Sequence, residues 1–198
     1  LMEHTNVLKE ISLVECQLAN EEIQLLTHSL LTRGIPLKKL RLVAVQDGIE
    51  ELVMAFHDNP GLFPKKFHAT LSNPNRSISA NECNKIAHLL QKKRCTMEEL
   101  TIVPQDKKAC VIIDDRIIAL AKTLVGNESL FKLEVGYFQP SMSLALDFIQ
   151  TLCNTSTINN TYTSNHTLCE LDDYYGIGHN SVTLSQYLHM NSNADKKA

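Results

Sequence analysis

Residues 8 to 18 read Leu8-Lys9-Glu10-Ile11-Ser12-Leu13-Val14-Glu15-Cys16-Gln17-Leu18. Apolar side chains hold the first, fourth and sixth places, a cysteine the ninth and a leucine the eleventh. Ile11 and Leu13 alternate with Glu10, Ser12 and Val14, the pattern of a short strand buried on one face only. The small ninth residue marks a turn, where it can satisfy backbone groups between successive units of chain.

Working outward, the first-fourth-sixth pattern returns as Leu37-x-x-Leu40-x-Leu42, Met97-x-x-Leu100-x-Ile102 and Leu130-x-x-Leu133-x-Val135. A degraded copy fits at Pro64-x-x-Phe67-x-Ala69, and a last one keeps Leu168 and Leu171 but carries Asp173 at the sixth place. Copies therefore start at 8, 37, 64, 97, 130 and 168, and self-similarity of this period is the mark of a repeat architecture. Between copies the spacing turns helical. Ile49, Leu52, Val53 and Phe56 follow the second copy, Cys83, Ile86, Ala87 and Leu90 the third, and Ile117, Leu120, Ala121 and Leu124 the fourth. Asp47-Gly48-Ile49-Glu50 and Ser79-Ala80-Asn81-Glu82 read as capping boxes that start two of these helices. Gly34, and Gly126 with Asn127, stand where left-handed helix ends are expected.

Strands alternating with helices also describe doubly wound α/β folds. That reading would need a Gly-x-Gly-x-x-Gly turn and continuous apolar strands. The chain has seven glycines, no such motif, and strands that alternate apolar with charged residues.

Coils of roughly 28 residues, each a strand and a helix, with Cys16 in the turn of the first, resemble the ribonuclease-inhibitor-like class of leucine-rich repeats. The resemblance covers nearly the whole chain. It implies an α/β leucine-rich-repeat solenoid, a horseshoe of about six strand-helix coils with a curved parallel sheet, forming a single domain over residues 1–198 with a polar tail at 191–198. It also implies a non-catalytic scaffold that binds a protein partner through the concave sheet face. The alternative within the same class of repeats is a regulatory domain of an enzyme system such as a GTPase activator, for which no arginine is singled out.

Residues flanking the buried strand positions point to the concave face. They place Lys39, Arg41, Lys66 and His68 side by side as a basic cluster. Glu134, Glu170 and Asp172 form an acidic one towards the other end, with Glu99 and Lys132 between them and Tyr174 as an aromatic anchor. These ten residues are the candidate partner-binding set. Tyr175, Tyr137 and Phe138 are further aromatic candidates, and the polar insertion from Cys153 to Thr167 is a candidate contact loop.

No other cluster carries chemistry at a diagnostic spacing. Cys153, His166, Cys169 and His179 come nearest to a zinc set, but their gaps match no finger or ribbon. His57, His68 and His88 stand at no ligand or catalytic spacing. Asp114-Asp115 read as first-turn helix residues favoured by the macrodipole. Lys92-Lys93-Arg94 and Lys107-Lys108 read as solvated charge. No cofactor and no catalytic residue is assigned.

The bulk properties fit a folded chain: 198 residues, 43% hydrophobic, with a net charge of −3. That balance gives no basic field for phosphate backbones, so nucleic acid is not an expected partner. No apolar run approaches the roughly 20 residues that span a bilayer. Six dispersed cysteines without a Cys-x-x-Cys pair suit reduced, buried thiols. With no basic and apolar leader in residues 1 to 6, the expected compartment is cytoplasmic. Sequons start at Asn75, Asn127, Asn154, Asn159 and Asn165, and in a chain rich in Asn, Ser and Thr they read as chance. A chain already in repeat phase at Leu8 fits a fragment of a longer protein or one that self-associates through uncapped ends.

Overall fold

The computed structural model describes residues 8–14, 18–45, 48–72, 78–104, 114–135, 147–148, 150–152 and 167–171. In each strand the alternation seen in sequence becomes a two-sided surface. Along Lys39–Val45, Leu40 and Leu42 are fully buried while Lys39 and Arg41 are exposed. Among the described residues six strands follow one another: β1 (Glu10–Leu13), β2 (Lys39–Val45), β3 (Lys66–Leu71), β4 (Glu99–Pro104), β5 (Lys132–Val135) and β6 (Glu170–Leu171). All are parallel, and they pair in strict chain order as one open sheet. Parallel neighbours need a crossover, and helices supply it: α1 (Asn20–Arg33), α2 (Ile49–Ala55), α3 (Ala80–Leu90) and α4 (Asp114–Leu124). Successive helices pack on one another, so each strand-helix unit stacks on the one before it.

The helical stripes read from spacing are the buried ones. Ile49, Leu52, Val53 and Phe56 are at most 2% exposed, and Cys83, Ile86, Ala87 and Leu90 join Leu120, Ala121 and Leu124 in the same apolar core. Strand residues Leu40, Leu42, Phe67, Ala69, Leu100, Ile102 and Leu133 meet them from the sheet. Phe148 and Leu152 extend this core beyond β5. The first places Leu37, Pro64, Met97, Leu130 and Leu168 are buried as the repeat requires. Leu8 is the exception at 56% exposed, because among the described residues no unit lies on the outer side of β1 to cover it.

The degraded third copy packs by a different device. Phe56, Phe63 and Phe67 form an edge-to-face chain with ring centroids 5.2 and 5.4 Å apart, a favoured aromatic geometry. The large ring of Phe67 is offset by the small Ala69 two residues on, which keeps the strand in register with Leu40 and Leu42. The ninth place works as expected between the second and third copies. Ser72 donates from its backbone N–H (3.0 Å) and its hydroxyl (3.3 Å) to the carbonyl of Val45. Cys16, the ninth residue of the first copy, lies outside the described residues.

Helix ends follow the sequence in part. Ser79 Oγ accepts from the N–H of Glu82 at 3.0 Å while Glu82 Oε2 accepts from the N–H of Ser79 at 2.8 Å, a complete capping box. Gly34 closes α1 in the left-handed region at φ 69°, its N–H bonded to the carbonyl of Leu31. Asp47, which would open the second expected box, lies outside the described residues. Gly48 precedes α2 at φ 93° without a side-chain cap bond, and Glu50 accepts from Asn81 Nδ2. Gly48 answers a packing demand, since a Cβ there would stand 2.9 Å from Cγ1 of Ile23 on α1. Nor does Gly126 take a left-handed turn; the backbone N–H of Asn127 bonds back to the carbonyl of Leu124 at 3.0 Å.

An irregularity appears in β2 that periodicity did not reveal. Ala44 adopts φ 64°, and the register with β3 slips between Val43 and Val45. This bulge costs on the order of 1 kcal/mol for a non-glycine residue, and it turns Val45 into the core at 1% exposure. Among the described residues no helix is long and apolar enough to cross a membrane.

Candidate interaction surface

Among the described residues the helices cover one face of the sheet and leave the other open, so the candidate site is built from residues that alternate with the buried ones. Two rows run across the strands. The first is Glu10, Lys39, Lys66, Glu99, Lys132 and Glu170, each in register with the next. The second is Ser12, Arg41, His68, Thr101 and Glu134. Neighbouring strands lie about 4.8 Å apart, so row members are within ion-pair reach of each other.

The structure brings Lys39, Arg41, Lys66 and His68 together on β2 and β3, as the sequence placed them, but their charges are not equivalent. Lys66 pairs with Glu99 on β4, and that carboxylate holds its ammonium pKa above the ordinary lysine value. Lys132 pairs with Glu170 at 3.4 Å. Thr101, on the open face but only 7% exposed, donates to Glu134 at 3.4 Å. Lys39 and Arg41 are exposed and make no side-chain hydrogen bond or ion pair among the described residues. The basic cluster thus reduces to two unneutralised cations on one strand. The acidic end is broken up likewise, with Glu170 facing Lys132. Asp172, Tyr174, Tyr175, Tyr137 and Phe138 lie outside the described residues, as does the insertion up to His166.

Sequence reading passed over a third row, one residue before each strand: Lys9, Lys38, Lys65, Glu98, Phe131 and Cys169. Backbone bonds carry the ladder through it, with Lys38 N–H to the Lys9 carbonyl at 2.8 Å, Glu98 N–H to Lys65 and Phe131 N–H to Glu98, both at 2.7 Å. It adds the pairs Lys38–Glu10 at 3.6 Å and Lys65–Glu98 at 2.7 Å. Phe131, just ahead of β5, is 43% exposed. The signal was available as the second place of every copy. These ion pairs are half-exposed, and each is worth about 0–1 kcal/mol.

His68 sits in the middle of the cluster. Burial first, and then the positive charges of Arg41, Lys39 and Lys132, hold its imidazole pKa below 6.5. Its Nε2 lies 3.2 Å from the hydroxyl of Thr70. Because the folded pKa is depressed, the unfolded chain takes up the proton first, and stability falls as pH drops through about 6.5 and levels out once folded His68 is itself protonated. An NMR titration of the His68 ring is expected to give a midpoint below 6.5 that moves up in Arg41→Gln. A midpoint at or above the ordinary value would contradict this electrostatic account.

Thiol chemistry has no support at the described cysteines. Cys83 is pushed up to about 11 and Cys95 is raised, both chiefly by burial, and Cys169 is raised by partial burial and by Glu170. Thiols held protonated are poor nucleophiles. Of the zinc-like set only Cys169 is described, and its Sγ lies 3.2 Å from the Thr167 carbonyl. Among the described residues no three His, Cys, Asp or Glu side chains converge to hold a metal. Lys92, Lys93 and Arg94 are solvent-exposed just past α3. No protein-family model matches the chain, and no curated protein is significantly similar to it.

Proposed function

We propose that the chain is a leucine-rich-repeat solenoid of the ribonuclease-inhibitor-like class that serves as a non-catalytic scaffold and binds a protein partner through the open face of its sheet. The observation that carries this reading is the pair of in-register rows. Residues far apart in sequence, such as Arg41, His68 and Glu134, become neighbours on one accessible surface, and stacking of units is how repeat folds assemble an extended binding face. Two further features support it. The strict strand order and helix stacking are those of a coil of strand-helix units, and polar side chains on the open face are mostly engaged with one another rather than gathered around a reacting centre. Exposed Phe131, at the lead-in to β5, is an aromatic of the kind that anchors interfaces.

Free thiols at Cys83, Cys95 and Cys169 support a reducing, cytoplasmic setting for this scaffold. Among the described residues β1 has a neighbour on one side only, with Leu8 and Val14 exposed, which supports association through an uncapped end as a secondary contact.

The test is charge reversal. Lys39→Glu with Arg41→Glu is expected to weaken binding of a partner captured from the native source by about tenfold or more, with a steeper loss in the wild type as salt rises. Isothermal titration calorimetry reads both effects. Unchanged affinity in the double variant would sink binding through this face.

A further inference from the structure

Among the described residues the first row of the open face is balanced in charge except at one seam. Along the first row the neighbours alternate in sign, Glu10 with Lys39, Lys66 with Glu99, Glu99 with Lys132 and Lys132 with Glu170, and the one like-charge step among the described residues is Lys39 beside Lys66. The second row sets Arg41 beside His68 at the same place, where protonation of the imidazole would add a second like charge. Like charges directly opposite on adjacent strands are unfavourable. Lys66 is relieved by Glu99 from the far side, but Lys39 and Arg41 have no acidic side chain bound to them among the described residues. The counter-charge for Lys39 and Arg41 can come from a ligand, and two exposed cations on one strand face suit a peptide.

Resting on the reading of the open face as the binding surface, we infer that the partner presents an acidic segment, a run rich in Asp and Glu, which lies over the β2–β3 seam with its carboxylates on Lys39 and Arg41. The occupant is a polypeptide because the two cations are held at a fixed spacing, two residues apart along one strand face, which matches carboxylates repeating along a chain. His68 lies beside Arg41 on the adjoining strand. The charged groups facing it are Lys66 on its own strand, Lys39 and Arg41 on β2, Glu99 on β4, and Lys132 and Glu134 on β5, with the helices packed on the opposite face. A carboxylate arriving over the seam stabilises the His68 imidazolium, so binding takes up a proton and tightens with acid.

The probe is a fluorescent peptide of about twelve residues with alternating Glu, compared with Lys-substituted and neutral counterparts by anisotropy at about 0.05 M salt, where exposed charges are only partly screened. The acidic peptide is expected to bind saturably, and K39E/R41E to weaken it by about tenfold or more. K92E/K93E, which alters net charge by the same amount at exposed sites elsewhere, is expected to leave binding within about twofold. Affinity rises as pH falls from about 8 to about 5.5, and that rise flattens in His68→Gln. Equal losses in the two double variants, or no loss in K39E/R41E, overturn the inference. Binding of the Lys peptide alone, weakened by Glu134→Lys, overturns the acidic partner while leaving the open face as the binding surface. The reversed residues are exposed, and circular dichroism melting of each variant separates misfolding from lost contact.

Discussion

Replacing Phe67 with alanine is expected to remove about 3–5 kcal/mol of folding stability, the usual cost of deleting a buried aromatic ring. The ring is 1% exposed and packs edge-on against Phe63, which packs in turn against Phe56. Its loss opens a cavity between the second and fourth strand units, where the neighbouring residue on the same face, Ala69, is too small to move in. A stack of units holds together through its nearest-neighbour interfaces, so a void at β3 is expected to weaken the joint between the two halves. A typical domain has only about 5–15 kcal/mol in hand. Urea denaturation should show a large fall in midpoint, and an intermediate in which one half unfolds first. Phe67→Leu restores the residue used at the same place in the second and fourth copies but forfeits the edge contact with Phe63, worth about 0.5–1.5 kcal/mol. It is expected to fall between alanine and wild type. A loss under about 1 kcal/mol for Phe67→Ala would mean that the aromatic chain does not hold the third unit in place.

That the third unit packs well was not legible in the repeat itself. Pro64-x-x-Phe67-x-Ala69 looks defective because the pattern records which places are apolar and not how volumes are shared between neighbours. Phe63, the central ring, lies one residue ahead of the copy, outside the pattern altogether. What the sequence does carry is local. The apolar periods of the strands, the stripes of α2, α3 and α4 and the Ser79–Glu82 box are each decided within a few residues of chain, and each appears where spacing put it. Features that depend on partners some 30 residues away are not readable in the same way. Glu50 bonds Asn81 at the start of the next helix, and Gly48 is required by Ile23 across the helix pair. The open-face rows were legible as positions but not as a charge balance. Which of Lys39, Lys65 and Lys66 remains without an acid follows from the register of β3 with β4, so a cluster of four basic residues in sequence becomes two unneutralised cations in the fold.

Asn127 should prove the most demanding polar residue in the described part of the chain. It is 5% exposed at the end of α4. Its Nδ2 donates to the carbonyl of Leu90 at 2.8 Å, one of the acceptors left over at the end of α3. Its Oδ1 accepts from the N–H of Ser129 at 3.1 Å and of Leu130 at 2.7 Å, and its own carbonyl accepts from Thr167 Oγ1 at 3.1 Å. One residue thereby ties three successive units, at 90, 127 and 167. Asn127→Ala leaves the Leu90 carbonyl and the Leu130 N–H without these partners beside fully buried side chains, and each such group costs about 1–3 kcal/mol. An overall loss of about 2–4 kcal/mol is expected in chemical denaturation. Asn127→Asp keeps the acceptor but replaces the donor with a second oxygen facing the Leu90 carbonyl, so it should be no better than alanine at neutral pH. The same geometry bears on the sequon Asn127-Glu128-Ser129. A glycan is attached through Nδ2, the atom that bonds Leu90 from a buried position. Expressed through a secretory pathway, folded protein is therefore expected to carry no sugar at Asn127. Peptide mapping by mass spectrometry would decide it, and a fully glycosylated Asn127 in stably folded protein would show that the contact with Leu90 is not what holds this junction.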